Sequence, residues 1–350
     1  MARNRLHLVL GAASLLLAGA VHAADVGVRA AGGPVAPAAR IAVGIAAVLA
    51  GLSLLALAVS LAADRGLRWW RLAAVPLLAI GLFWSMLPVA LGIVATRGSS
   101  PADIDLGDGY VEAAVPAGDG ASLALSYRPG SNGATVICLP GSGSTRRAIA
   151  PHAELLAKAG YGVVLVDPRG LGESTGRAMG YGWSGGRDVR AVTDWLLAQP
   201  GVDAARVGVL GLSMGGEQAL TAAGSDERLR AVVAEGATER CYEDVRRTLG
   251  GVSLALGVPQ YRALFGTCEL LSGEEPPPAL EPLVGRIGPR RALLLATERE
   301  AHYGERYEAA SEGAVVLWAP SSVNHIGALA EHPREWEQRV ISFFDGALAE

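Results

Sequence analysis

Six short apolar runs recur through the carboxyl-terminal two-thirds of the chain: TVICL (135–139), YGVVLVD (161–167), RVGVLGL (206–212), LRAVVAEG (229–236), RALLLAT (291–297) and AVVLWAP (314–320). A strand with one wet face alternates apolar and polar residues, whereas these runs are nearly continuous, as strands covered on both faces must be. Between them lie amphipathic stretches such as RRAIAPHAELLAKAG and GRDVRAVTDWLLAQP. Strands alternating with helices predict an α/β fold with a mostly parallel central sheet and helices on both faces. VEAAV and SLALSYRP read as a hairpin ahead of it. Functional groups in such sheets collect at the carboxyl ends of the strands.

The amino-terminal part is a different material. Residues 6–24, 41–63 and 72–96 contain no Asp, Glu, Lys or Arg. As helices, the second and third would reach roughly 34–38 Å, enough to span a hydrocarbon layer of about 30 Å. Two or three transmembrane helices are therefore expected. The first stretch, behind Arg3 and Arg5 and ending near Val21-His22-Ala23, also reads as a signal peptide, leaving open whether residues 1–23 are cleaved. Either way the second helix runs inward and the third outward. Arg65, Arg68 and Arg71 in the second loop agree with a cytoplasmic position. The expected organisation is a membrane region at 1–96, a polar linker at 97–108 and a globular domain at 109–350. That domain would lie on the extracytoplasmic side of a multi-pass membrane protein, with the lipid bilayer as a partner.

A net charge of −4 offers no basic face for nucleic acid. No Cys or His pair falls at zinc-ligand spacing, so no metal or other cofactor is expected. Of the three cysteines, Cys138 sits in a strand-like run, while Cys241 and Cys268 could pair in an oxidising compartment or remain thiols. Oligomeric state is not legible.

The motif that carries chemistry is Gly211-Leu212-Ser213-Met214-Gly215, followed by Gly216. A strand leads in and a helical run, MGGEQALTAA, leads out, the setting in which G-x-S-x-G forms a sharp turn that exposes its serine. The helix start behind Ser213 favours developing negative charge. Leu139-Pro140-Gly141-Ser142-Gly143 ends an earlier strand, and Asp167-Pro168-Arg169-Gly170-Leu171-Gly172-Glu173-Ser174 follows the next. In these three landmarks, over roughly residues 109–350, the chain resembles the α/β-hydrolase superfamily. It looks closest to the lysophospholipase, serine aminopeptidase and dienelactone hydrolase-like groups, and to membrane-anchored bacterial hydrolases of that type. Pro140 stands where the family's oxyanion turn carries His.

The resemblance implies an α/β-hydrolase fold with a small cap at about 238–290, and a triad in the order Ser, acid, His. Ser213 is then the nucleophile. His325, in Ser321-Ser322-Val323-Asn324-His325 between the last strand and the final helix EWEQRVISFFDGAL, falls at the family's base position, with Asn324 where relatives carry Gly. His302 and His332 also follow the elbow, and His332 reads as a surface residue. The acid belongs after RALLLAT, where this chain reads Thr297-Glu298-Arg299-Glu300; Glu298 is favoured over Glu300, and Glu235 is a remoter candidate. Backbone N–H groups of Met214 and Ser142 would form the oxyanion hole. Arg169 reads as a clamp inside its turn. Tyr242, Leu254, Leu256, Tyr261, Leu264, Phe265, Leu270 and Leu271 would line an acyl pocket or pack the cap onto the core.

The expected activity is hydrolysis of an ester, small or lipid-like, through an acyl-enzyme. A peptidase of the serine aminopeptidase type, or a degenerate membrane-tethered binding module, are the alternatives.

Overall fold

The computed structural model describes residues 86–98 and 106–349, the side chains of 252 and 254–256 excepted. The expected spans at 6–24 and 41–63 lie outside the described residues, as do 72–85 of the third; residues 86–95 are helical. Among the described residues no helix is long and apolar enough to cross a membrane. The chain divides into two compact units. In the smaller, the described residues are 86–94 and Pro259–Thr267, and the Tyr261 and Phe265 rings stack with centroids 6.1 Å apart. The larger holds Ala95–Val258 and Cys268–Glu350.

The larger unit is built on eight strands: β1 (Val111–Pro116), β2 (Ser122–Arg128), β3 (Thr135–Leu139), β4 (Gly162–Val166), β5 (Val207–Leu212), β6 (Leu229–Glu235), β7 (Arg291–Leu295) and β8 (Val315–Trp318). They form one sheet in the order β1-β2-β4-β3-β5-β6-β7-β8. The β1–β2 hairpin is antiparallel, β2 pairs antiparallel with β4, and every later pairing is parallel. The six apolar runs are therefore β3 to β8, and all of β3, β4 and β5 is buried.

Alternate residues of these strands feed two separate cores, because successive side chains point to opposite faces. Ile137, Val164, Val209 and Val232 pack on one face with Val192 and Leu196 of α2 (Gly185–Leu197) and Ala219 and Leu220 of α3 (Met214–Ala223). Val136, Leu165, Leu210 and Val233 pack on the other with Ile149 and Leu156 of α1 (Arg146–Lys158) and Trp336, Val340 and Phe344 at the carboxyl terminus. Between β6 and β7, α4 (Tyr242–Thr248), α5 (Gly251–Ser272) and α6 (Leu280–Val284) occupy the segment expected as a cap. After β7 comes α7 (Ala301–Ala310); after β8 come α8 (Ala328–Glu331) and α9 (Pro333–Ala347). Cys138, Cys241 and Cys268 are all buried, and Cys241 and Cys268 form no disulfide. The Cys241 thiol instead donates to Asp244 Oδ2 at 3.3 Å, and burial pushes its pKa up to about 12.

Candidate active site

Register brings the ends of β3, β5, β6 and β7 side by side: Leu139 faces Gly211, Leu212 faces Glu235, and Glu235 faces Leu295. Ser213 is the first residue beyond β5 and precedes α3 directly. Its φ of 52° and ψ of −119° are a conformation that costs a non-glycine residue about 1–3 kcal/mol. Surrounding bonds hold it: Ser213 N–H donates to the Glu235 carbonyl at 2.7 Å, and Glu217 N–H donates to the Ser213 carbonyl at 3.1 Å. The flanking glycines make the turn possible. A Cβ on Gly211 would stand 2.0 Å from the Gly215 carbonyl oxygen, and one on Gly215 would stand 2.3 Å from that of Leu139. The turn after β3 is thereby packed against the elbow.

The loop after β8 delivers His325. With the proton on Nδ1, the imidazole donates to Glu300 Oε1 at 2.7 Å and accepts the Ser213 hydroxyl at Nε2, 2.8 Å away. A carboxylate can only accept, so Glu300 selects that tautomer and leaves Nε2 as the acceptor facing Ser213. The hydrogen bond that His325 donates to Glu300 raises the His325 pKa above its ordinary value, with burial opposing it. The same bond holds the Glu300 carboxyl below the usual carboxylate range. Thr297 braces the acid by exchanging contacts with it, Glu300 N–H donating to Thr297 Oγ1 at 3.3 Å. On the open side, Thr297–Glu300 and Ser322–His325 border a polar cavity of about 440 Å³.

The other landmark is structural. Asp167 is fully buried; its Oδ1 accepts Arg146 N–H at 2.7 Å, and its Oδ2 accepts both the Arg146 guanidinium and, at 2.9 Å, Glu173 N–H. Ser174 Oγ donates to the Asp167 carbonyl and accepts Ala124 N–H, both at 2.8 Å, tying β4 to β2. Arg169 is buried between Asp188 and Asp119, as a clamp should be.

A family model described as X-Pro dipeptidyl-peptidase (S15 family) matches residues 115–281, a span that contains the elbow and ends before Glu300 and His325. No curated protein sequence matches the chain. Among solved structures, an esterase of Pyrococcus furiosus is similar at a TM-score of 0.58 and 21% identity, over 72% of this chain and 100% of that one. An α/β hydrolase of Penicillium sp. sh18 is similar at 0.54 and 18% identity, over 69% of this chain and 99% of that one. A 2,6-dihydroxy-pseudo-oxynicotine hydrolase is similar at 0.51 and 16% identity, over 96% of this chain and 88% of that one. The chain has the α/β-hydrolase fold.

Within this hydrolase fold, the structure brings together Ser213, His325 and Glu300, and the expectation for Glu298 needs correction. Glu298 is exposed, and the imidazole nitrogen it would have held is taken by Glu300, the residue before α7. The two carboxylates lie two residues apart in a turn, so which one faces His325 depends on turn geometry rather than on spacing. Glu235 is also off the imidazole. It is buried, with Oε1 accepting Ala328 N–H at 2.8 Å and Oε2 accepting Trp336 Nε1–H at 3.3 Å. Asn324, standing where relatives carry Gly, donates from N and Nδ2 to Glu331 Oε1 at 3.1 and 3.0 Å and so braces the loop. Met214 opens α3, and Ser142 lies in the turn after β3, where its Oγ would stand 2.7 Å from a Cβ on Gly180. His332 is half-buried and sits on the Ser321 carbonyl at 3.2 Å, and His302 is held by the Arg299 carbonyl at 3.0 Å.

Sequence reasoning overlooked Gly236. Its φ is +69°, and a Cβ there would stand 2.8 Å from His325 Cε1, so only glycine leaves the imidazole its place. A glycine directly after a core strand was the available signal. In the cap, Leu264 and Phe265 are buried and Leu270 is exposed, whereas the side chains of Leu254 and Leu256 lie outside the described residues. Among the described residues no group of three or more His, Cys, Asp or Glu is disposed to hold a metal ion.

Proposed function

We propose that the chain is a serine hydrolase that cleaves a carboxylic ester through an acyl-enzyme. The observation that carries this reading is the relay from Ser213 Oγ to His325 Nε2 and from Nδ1 to Glu300 Oε1, mounted on a strained turn at the carboxyl edge of the sheet. A serine hydroxyl is a poor nucleophile at neutral pH and needs such a base. His325 takes the hydroxyl proton as Oγ attacks the substrate carbonyl, and Glu300 stabilises the imidazolium that results. The tetrahedral oxyanion is assigned to the backbone N–H groups of Met214 and Ser142, each such donor being worth about 3 kcal/mol in the transition state. Collapse expels the leaving alcohol, which receives the proton from His325. His325 then takes a proton from water, whose oxygen attacks the acyl carbonyl; the acyl–Oγ bond breaks, and His325 returns that proton to Ser213 Oγ.

An ester with a lipid-like acyl chain suits a chain whose amino-terminal third is so rich in uncharged stretches, and tethering to a bilayer with the hydrolase domain outside the cytoplasm belongs to the same proposal. A reporter fused after residue 350 that is active only in the cytoplasm refutes that topology. The family-model match favours one alternative, a peptidase acting on amide bonds. A panel of p-nitrophenyl esters of graded chain length beside aminoacyl and X-Pro p-nitroanilides separates the two. Labelling by a fluorophosphonate, lost in Ser213→Ala, supports the serine hydrolase. No label on folded wild type would leave only a binding module.

A further inference from the structure

The residue that joins the two halves of the relay is Glu235, at the end of β6 between the elbow strand and the acid strand. Its main-chain carbonyl accepts Ser213 N–H at 2.7 Å. Its side chain, 3% exposed, reaches in the other direction to Ala328 N–H, three residues beyond His325, and to Trp336 Nε1–H. Glu235 and Glu300 also line one small cavity of about 10 Å³ beneath the His325 loop, together with Asn324 and Ile326. Both partners of the Glu235 carboxyl are N–H donors, a pattern that suits the ionised form.

Nothing in the relay requires a second carboxylate there. A buried carboxyl is costly unless it is satisfied, and an apolar residue would serve if the position only filled space. What Glu235 supplies is a fixed link between parts of the chain 93 residues apart. The loop it anchors contains two non-glycine residues at positive φ, Ser322 at 61° and Ile326 at 54°. We propose that Glu235 is a positioning residue of this site: its carbonyl seats the nucleophile, its carboxylate seats the histidine loop, and its charge lies behind the imidazole as a second negative group beside Glu300. The proposal rests on the serine-hydrolase reading above. The charged groups acting on His325 are Glu300 and Glu235, and both favour the imidazolium. Burial raises the Glu235 carboxyl above its ordinary pKa, while Ala328, Trp336 and His325 pull it back.

The test uses the full chain and the rate of fluorophosphonate labelling of Ser213 against pH, with thermal melting as the check on folding. Glu235→Gln keeps the volume and an acceptor but removes the charge. Because the amide can accept from only one of the two N–H donors, it is expected to melt below wild type yet remain folded, and to move the acid limb of the labelling profile down. Glu235→Asp, which keeps the charge, is expected to hold the limb near wild type while lowering the plateau rate. If Glu235→Gln does not fold, Trp336→Phe removes one donor, makes Glu235 easier to protonate, and should move the limb in the same direction by less. A Gln profile that superposes on a labelled wild type overturns the proposal, as does an Asp profile that moves as far as Gln. Absence of label on wild type overturns the serine-hydrolase reading itself, and this proposal with it.

Discussion

Replacing Glu300 by Gln removes one charge from the relay and leaves its shape. In the transition state of the proposed reaction His325 becomes an imidazolium whose Nδ1 lies 2.7 Å from a carboxylate oxygen. Two unit charges about 4 Å apart attract by about 4 kcal/mol at an effective dielectric of about 20. The His325 side chain is 45% exposed and that of Glu300 19%, so solvent screening is taken to halve this, to about 2 kcal/mol. That corresponds to a fall of roughly 30-fold in kcat. Glutamine adds a second penalty, because its amide N–H₂ can turn toward the ring and select the tautomer with the proton on Nε2. The corresponding swap in serine proteases costs on the order of 10⁴-fold. Glu300→Ala should thus lose roughly 30-fold, and Glu300→Gln more than that. The acid limb supplies the sign. Activity needs neutral His325 and is lost as pH falls through its pKa, which Glu300 raises. The wild-type limb therefore lies above the ordinary His value of about 6.5, and Glu300→Gln moves it downward. Steady-state kcat and kcat/KM on the best ester of the panel, measured across pH, read both effects. Glu298→Gln is the control and should change kcat by less than about twofold. A Glu300→Gln enzyme within about threefold of wild type, beside a Glu298→Gln enzyme that collapses, would return the acid to Glu298 and refute the reasoning.

Three further outcomes are expected. Gly236→Ala drives a methyl group into the His325 ring, so kcat should fall about 10²-fold with KM little changed, and melting should drop through the strained φ; unaltered turnover would show that the imidazole has room to move. Asp167→Asn weakens one partner of the buried Arg146 guanidinium, which keeps Glu112 and Glu173, and should destabilise by about 1–3 kcal/mol in urea unfolding, while kcat per folded molecule stays near wild type. The three thiols should react with a disulfide reagent only after denaturation, and reductant should leave the melting temperature unchanged; rapid reaction in the native state would contradict their burial.

Glu300 is also the residue that separates what was legible in the sequence from what was not. Near-continuous apolar runs alternating with amphipathic ones could satisfy their backbone and bury their side chains only as a parallel sheet covered on both faces, so β3 to β8 and the flanking helices were readable in advance. Ser213 was readable for a related reason: the elbow needs glycines at 211 and 215, where a Cβ would strike backbone, and that need leaves a mark in the sequence. His325 followed from the family resemblance, which puts the base between the last strand and the last helix. No comparable mark distinguishes Glu298 from Glu300, since both are carboxylates in one turn and only its folded path decides which faces the ring. Glu235 likewise looked like a polar end to a core strand until β6 was set between β5 and β7, with Ala328 and Trp336 folded over it. Local patterns record constraints that act within a few residues of the chain. The meeting of groups 25, 93 and 112 residues apart is recorded only in the tertiary structure.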